Sequence, residues 1–276
     1  VNRFLDYQTS QRFIQISCAK AYAEVHDVIH PGQWTSKPRN IRHTPFHQKH
    51  VEMGAQFLPT AGLEMPYWLE ENQRLLEEFE AEIPEREGWG AMYWSPIQGA
   101  EHLAMRKNAG LFDLTSLAII EVDGPDASAF ANYVCTSRMD VPVGKVAYTL
   151  WCTHSGGIKR DLAVARVAED RYWFFTGAAT APQELDWLQR LATPYHNGAT
   201  LSPQSARREG FNLTIRDLSH NYAALGLFGP NARKVLELVT PNDVSNEAFP
   251  LYTWQEIEIG INRVFAMRIS YVGELG

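Results

Sequence analysis

Cysteine is scarce: Cys18, Cys135 and Cys152 are the only three in 276 residues, far apart and never spaced as C-x-x-C. That excludes a disulfide framework and the common zinc knuckles, and it favours a reducing intracellular setting. No apolar run approaches the roughly 18–20 residues of a membrane span, so no membrane partner is expected. Basic residues are outnumbered, 25 against 32 acidic, for a net charge of −7. Short pairs such as Arg207-Arg208 do not make the clustered footprint that nucleic acid requires. The chain has no P-loop, no G-x-G-x-x-G fingerprint, no G-x-S-x-G elbow and no H-E-x-x-H. A flavin or nicotinamide phosphate cradle is therefore not expected within it. An initiator Met and a signal-peptide core are also missing. The opening Val1-Asn2-Arg3 and the closing Gly273-Glu274-Leu275-Gly276 both read as cut edges of something longer.

What is present is a globular mix, 45% hydrophobic and 21% charged. Apolar spacing predicts a helix over Phe13–Val28, ended by Pro31-Gly32. Five prolines and three glycines between residues 31 and 66 read as an extended connector without its own core. A helix is expected over 67–83, stopped by Pro84. Ser95-Pro96 should cap and open another, closed by Gly110 at the C′ position. Strands are expected at 117–122, 146–152, 158–167 and 171–176, with a hairpin turn at His154-Ser155-Gly156-Gly157. Pro125 should open a helix to Val134. The expected fold class is α+β, with mainly antiparallel sheets and packed helices.

A weak internal repeat accompanies these elements. Glu121-Val122-Asp123-Gly124-Pro125 leads from strand to helix, and Gly226-Leu227-Phe228-Gly229-Pro230 does the same about a hundred residues later. In each, Gly permits the tight exit and Pro presets φ for the helix. Common turn chemistry could give the same coincidence.

The histidines His26, His30, His43, His47 and His50 crowd the N-terminal third, two pairs of them four apart. Beside Pro45 this spacing is a poor helical metal site, and polar packing is the plainer reading; no metal is expected. Asp161 interrupts the apolar run Ile158, Leu162, Val164, where a carboxylate is either paired or poised for use. A salt bridge with Lys159 or Arg166 would serve equally. Glu274 lies between Gly273 and Gly276, where the backbone can approach a ligand closely or make a plain surface turn.

Seven short motifs occur in one order: Gly110-Leu111-Phe112-Asp113-Leu114-Thr115, Asp123-Gly124-Pro125, Pro142-Val143-Gly144 with Tyr148-Thr149, Gly156-Gly157-Ile158 with Asp161-Leu162, Thr176-Gly177-Ala178-Ala179, Gly229-Pro230, and Tyr271-Val272-Gly273-Glu274-Leu275-Gly276. That order resembles the aminomethyltransferase family, the T-protein of the glycine cleavage system, and most of all the copy fused to dimethylglycine and sarcosine dehydrogenases. Asn2 to Tyr7, His26 to Pro31 and Arg42 to Pro66 resemble the end of the flavin domain of those enzymes and its connector.

The resemblance implies three segments: a flavin-domain tail and connector at 1–66, a linker helix at 67–94, and a C-terminally incomplete folate domain at 95–276. It implies that tetrahydrofolate captures a one-carbon unit as 5,10-methylenetetrahydrofolate. FAD would act on a small N-methyl amine in a domain before residue 1. By position, Asp161 would be the catalytic carboxylate beside the reactive folate nitrogens and Glu274 the acid on the pterin, with Tyr148, Thr176 and Tyr271 as pocket walls. Folate and amine are thus the expected partners, in the cytoplasm or, in a eukaryote, the mitochondrial matrix. The chain departs from the family at Thr136-Ser137-Arg138 and Thr153-His154-Ser155. Alternatives are a non-catalytic regulatory relative and a stand-alone aminomethyltransferase.

Overall fold

The computed structural model describes residues 6–28, 30, 33–35, 37–177, 179–193 and 210–276. Pro31-Gly32, Ala178, Arg207-Arg208 and residues 1–5 of the tail lie outside these. The chain divides into two compact units, one of residues 1–116 and 223–232, the other of 117–222 and 233–276.

The first unit opens with α1 (Gln11–Ala23), where Ser10 Oγ accepts from Phe13 N. This helix is shorter than the apolar spacing predicts and has no buried residue. The segment expected as a coreless connector is instead folded. It contains β1 (Arg42–His43), α2 (His47–Glu52), β2 (Ala55–Thr60) and β3 (Leu63–Leu69), with sheet order β1-β3-β2. Leu63 and Met65 are buried, as is Glu64. Arg39 holds the Glu64 carboxylate through Nε and Nη2, and Asn40 N–H donates to it as well. The prolines misled because Pro59 and Pro66 sit within paired strands, opposite Glu64 and Phe57. The helix expected over 67–83 is also absent as such. Residues 67–69 finish β3, two 3₁₀ turns follow (Glu70–Leu75 and Glu80–Glu82), and only α3 (Leu76–Phe79) is α-helical.

Ser95 caps α4 (Pro96–Lys107), its hydroxyl accepting from Ile97 N, with Pro96 in the first turn as expected. Gly110 is not its C′ residue. It opens β4 (Gly110–Asp113), which pairs antiparallel with β10 (Leu225–Phe228). A Cβ on Gly110 would meet Met105 Cγ at 2.9 Å, so close packing explains that glycine.

The second unit is built on a five-stranded sheet. Its strands are β5 (Leu117–Asp123), β6 (Val146–Cys152), β7 (Ile158–Ala168), β8 (Arg171–Gly177) and β9 (Thr214–Asp217), in the order β6-β7-β8-β5-β9. Every pairing is antiparallel. The four strands expected from the sequence are all present, and the Gly156-Gly157 turn joins β6 to β7. Alternation sends Ile120, Val122, Trp151, Leu162, Val164, Tyr172 and Phe174 to one face. There they pack with Phe130, Ala131 and Val134 of α5 (Ala127–Val134) and Leu188 of α6 (Ala181–Ala192). Each such large apolar side chain contributes about 1.5–3 kcal/mol on full burial.

The opposite face meets a hairpin, β11 (Thr253–Ile259) and β12 (Asn262–Arg268). Phe265 stacks on Trp254 at 4.4 Å between centroids and touches Trp173 at 4.7 Å. Trp254 is fastened twice, by its N–H to Gly144 O and by Nε1 to Arg166 O. The short helix α7 (Ala232–Glu237) precedes this hairpin.

Both strand–Gly-Pro–helix corners exist. Gly124 has φ 141° and Gly229 φ 119°. In each, the N–H three residues on closes the corner, Ala127 N to Gly124 O at 2.9 Å and Ala232 N to Gly229 O at 3.0 Å. The repeat seen in sequence is therefore a repeat of backbone conformation.

Candidate functional site

The face of the sheet away from α5 and α6 carries the candidate site. Tyr148 on β6 lies opposite Ala163 on β7, and Asp161 is two residues from Ala163, so Tyr148 and Asp161 are diagonal neighbours on one face. The Tyr148 phenol donates to Asp161 Oδ2 at 3.3 Å. Both residues are exposed, so Asp161 does not carry the desolvation cost expected for a carboxylate in an apolar run. Neither expected salt-bridge partner engages it. Arg166 donates to Val141 O at 2.7 Å and Glu169 O at 2.8 Å, and the Lys159 ammonium lies over the Trp187 ring.

The Tyr148 phenol is held above its ordinary value. Loss of hydration is the largest cause, followed by the Asp161 charge, the hydrogen bond to Asp161, and Tyr271. Tyr271 therefore stands near enough to Tyr148 to act on it electrostatically. Of the five sequence-predicted residues, a hydrogen bond thus joins two, Tyr148 and Asp161.

Glu274 belongs to the turn that carries Tyr271. Its carboxylate accepts from Tyr271 N at 2.7 Å and Val272 N at 2.6 Å, and from Ser270 Oγ at 3.4 Å. Partial burial pushes its carboxyl upward, but those backbone donors outweigh it and hold the group below the usual range. Gly273, at φ 98°, lets the chain turn back so that the carboxylate reaches these amides.

Thr176 stands apart from this group. It is buried, and its hydroxyl donates to Glu184 Oε2 at 2.6 Å. Glu184 Oε1 accepts from Arg160 Nε at 2.5 Å. Thr176 faces the helix-covered side of the sheet, which does not suit an open pocket wall.

Sequence reasoning missed a second polar cluster on the open face. Glu121, buried within β5, accepts from Trp173 Nε1 at 3.0 Å and Arg216 Nε at 2.9 Å. Arg171 and Arg216 both also reach Asp123. The signal was available: Glu121 is a lone acid in the run Leu117–Val122, as Asp161 is in its own.

Residues 46–276 match the GCVT N-terminal domain, and residues 1–44 match the FAD dependent oxidoreductase central domain. The chain belongs to the GCVT aminomethyltransferase family. Its fold matches the glycine cleavage system aminomethyltransferase T from Bartonella henselae, with a TM-score of 0.61 at 25% identity over 85% of this chain and 52% of that one. It is 27% identical to the 4-methylaminobutanoate oxidase (formaldehyde-forming) of Paenarthrobacter nicotinovorans, across 100% of this chain and 31% of that protein. It is 26% identical to the mitochondrial sarcosine dehydrogenase of Mus musculus, across 96% of this chain and 31% of the relative. The aminomethyltransferase of Thermotoga neapolitana is 27% identical over 86% of this chain and 53% of its own length. The chain thus spans about a third to a half of the relatives it matches. These relatives are oxidases, dehydrogenases and aminomethyltransferases. Among the described residues, no helix is long and apolar enough to cross a membrane.

Proposed function

We propose that this chain is the tetrahydrofolate-binding half of an FAD-dependent N-methyl amine dehydrogenase, where a one-carbon unit is captured as 5,10-methylenetetrahydrofolate. The observation that carries the reading is the Tyr148–Asp161 pair on the open sheet face. An exposed carboxylate with one neutral donor keeps lone pairs for a protonated ring nitrogen. Aromatic walls suit a flat pterin and aminobenzoyl system. Tetrahydrofolate, when bound, supplies the nucleophilic nitrogens. Asp161 holds the proton exchanged at that nitrogen and stabilises the positive charge of the incoming iminium. Tyr148 orients Asp161 through its phenol. Glu274 is the pterin acid, and its present amide partners preset the carboxylate.

The match of residues 1–44 to the oxidoreductase central domain favours the dehydrogenase over a stand-alone aminomethyltransferase. FAD would be bound by a flavin domain of the parent protein, with residues 1–66 as its tail and connector, 67–94 as the linker and 95–276 as the folate domain. The cytoplasm, or the mitochondrial matrix in a eukaryote, is the proposed compartment. Two relatives are named for N-methyl amino acids, which makes that the proposed substrate class.

Titrating the parent protein with tetrahydrofolate tests the reading, and no binding removes it. A second reading rests on the formaldehyde-forming relative. If tetrahydrofolate binds and formaldehyde is nevertheless released quantitatively during amine oxidation, that reading replaces capture. In the capturing enzyme, Asp161→Asn leaves amine oxidation intact and makes formaldehyde accumulate.

A further inference from the structure

Arg233, in the first turn of α7, and Arg268, the last residue of β12, both donate from Nη2 to one acceptor, Asn246 Oδ1, each at 2.6 Å. Arg268 also donates from Nη1 to Phe249 O at 2.6 Å, and its Nε is buried without an acceptor. Two other half-buried arginines, Arg39 and Arg160, each meet a carboxylate, whereas Arg166 meets the carbonyls of Val141 and Glu169. Neither Arg233 nor Arg268 has a carboxylate within ion-pair distance among the described residues. Glu247 acts on Arg268 only from farther away, and burial together with the Arg233 charge holds the Arg268 guanidinium below its ordinary value.

Two like charges converging on a neutral amide oxygen repel each other. Asn246 stands where a carboxylate would neutralise the pair, and an amide oxygen does so far less well. Arg233 keeps Nε and Nη1 without a protein acceptor among the described residues. Arg268 is three residues from Phe265, so it projects from the side of the hairpin opposite the Trp173 contact. This cluster is therefore distinct from the Asp161 face, and it does not rest on the folate reading.

We propose that Arg233 and Arg268 form an oxyanion-binding notch, taking the phosphate or carboxylate group of a small molecule. Guanidinium forks match both groups in geometry. The thermal unfolding midpoint of the intact chain tests this, with chloride replaced by inorganic phosphate at constant ionic strength and, in parallel, by a short γ-glutamyl peptide. A ligand of the folded state raises the midpoint with its concentration.

Asn246→Asp supplies a built-in carboxylate. It should raise the midpoint in chloride and abolish the response to both probes. Arg233→Gln should weaken binding at least about tenfold through loss of charge-assisted donors. A response to phosphate alone assigns a phosphate source, and a response to the peptide alone assigns a carboxylate one. The notch is refuted if the native chain responds no more than Asn246→Asp does. Should Arg233→Gln fail to fold, that comparison alone decides.

Discussion

Thr176 and Glu184 are joined inside the second unit by a 2.6 Å hydrogen bond from hydroxyl to carboxylate. The other carboxylate oxygen is held by Arg160, one residue before Asp161 in β7. Replacing Glu184 by Ala leaves both donors without their acceptor, at a cost of about 1–3 kcal/mol per unsatisfied buried group. Urea unfolding followed by tryptophan fluorescence should show the loss. Glu184→Gln, which keeps the shape and one acceptor, should recover part of it. Equal stability of native and Ala forms would show that the network contributes nothing.

The Tyr148 phenol is held above its ordinary value, first by loss of hydration and next by the Asp161 charge, which opposes a second negative charge beside it. Asp161→Asn removes that charge, so the Tyr148 phenol should ionise at lower pH than in the native chain. Difference absorbance of tyrosinate, with Tyr148→Phe to identify the signal, reads this directly. An unchanged titration would mean that the two groups do not interact in solution.

The two Gly-Pro corners should be intolerant of side chains. A Cβ on Gly124 would lie 2.7 Å from Leu213 Cα, and one on Gly229 would lie 2.5 Å from Asn108 O. Both clashes are with backbone, and both φ values are positive. Gly124→Ala and Gly229→Ala should each cost about 1–3 kcal/mol or more. Gly156, with nothing near its Cβ position, is the control and should lose less.

His47 and His50 are both held below the ordinary histidine value, first by burial, and for His47 next by His43, whose ring stacks on it at 3.9 Å. Asp113 opposes the shift at His50 without reversing it. A histidine whose folded pKa is depressed binds its proton better when unfolded. Its penalty is absent well above pH 6.5 and grows as pH falls through that value. Stability should therefore decline on acidification below about 6.5, and levelling should come only below the folded pKa. His50→Gln should flatten that slope in a pH series of urea midpoints.

The sheet of the second unit was legible because its strands alternate or carry continuous β-branched runs, and a Gly-Gly turn marks the hairpin. The small sheet of the first unit was not, because residues 55–69 break every local rule with Pro59, Pro66 and a buried Glu64. Their order comes from Arg39, some 25 positions away in sequence. Motif order alone points to Tyr148, Asp161 and Tyr271 as proposed site residues. The burial of Thr176 was not legible, because it depends on α6, which no local pattern locates over β8. The convergence of Arg233 and Arg268 on Asn246 needs tertiary structure, since the three residues share no sequence signal.

The strand β7 gives successive positions to different neighbours: Arg160 reaches inward to Glu184, Asp161 outward to Tyr148, and Leu162 into the core. Residue count there is consequently under tighter control than residue identity. Deleting or adding a single position between the Gly156-Gly157 turn and Asp161 would exchange the carboxylate with its neighbours, burying an acid and exposing a leucine. Length variation among homologous proteins should accordingly collect in the turn and leave this three-residue spacer, Ile158 to Arg160, untouched.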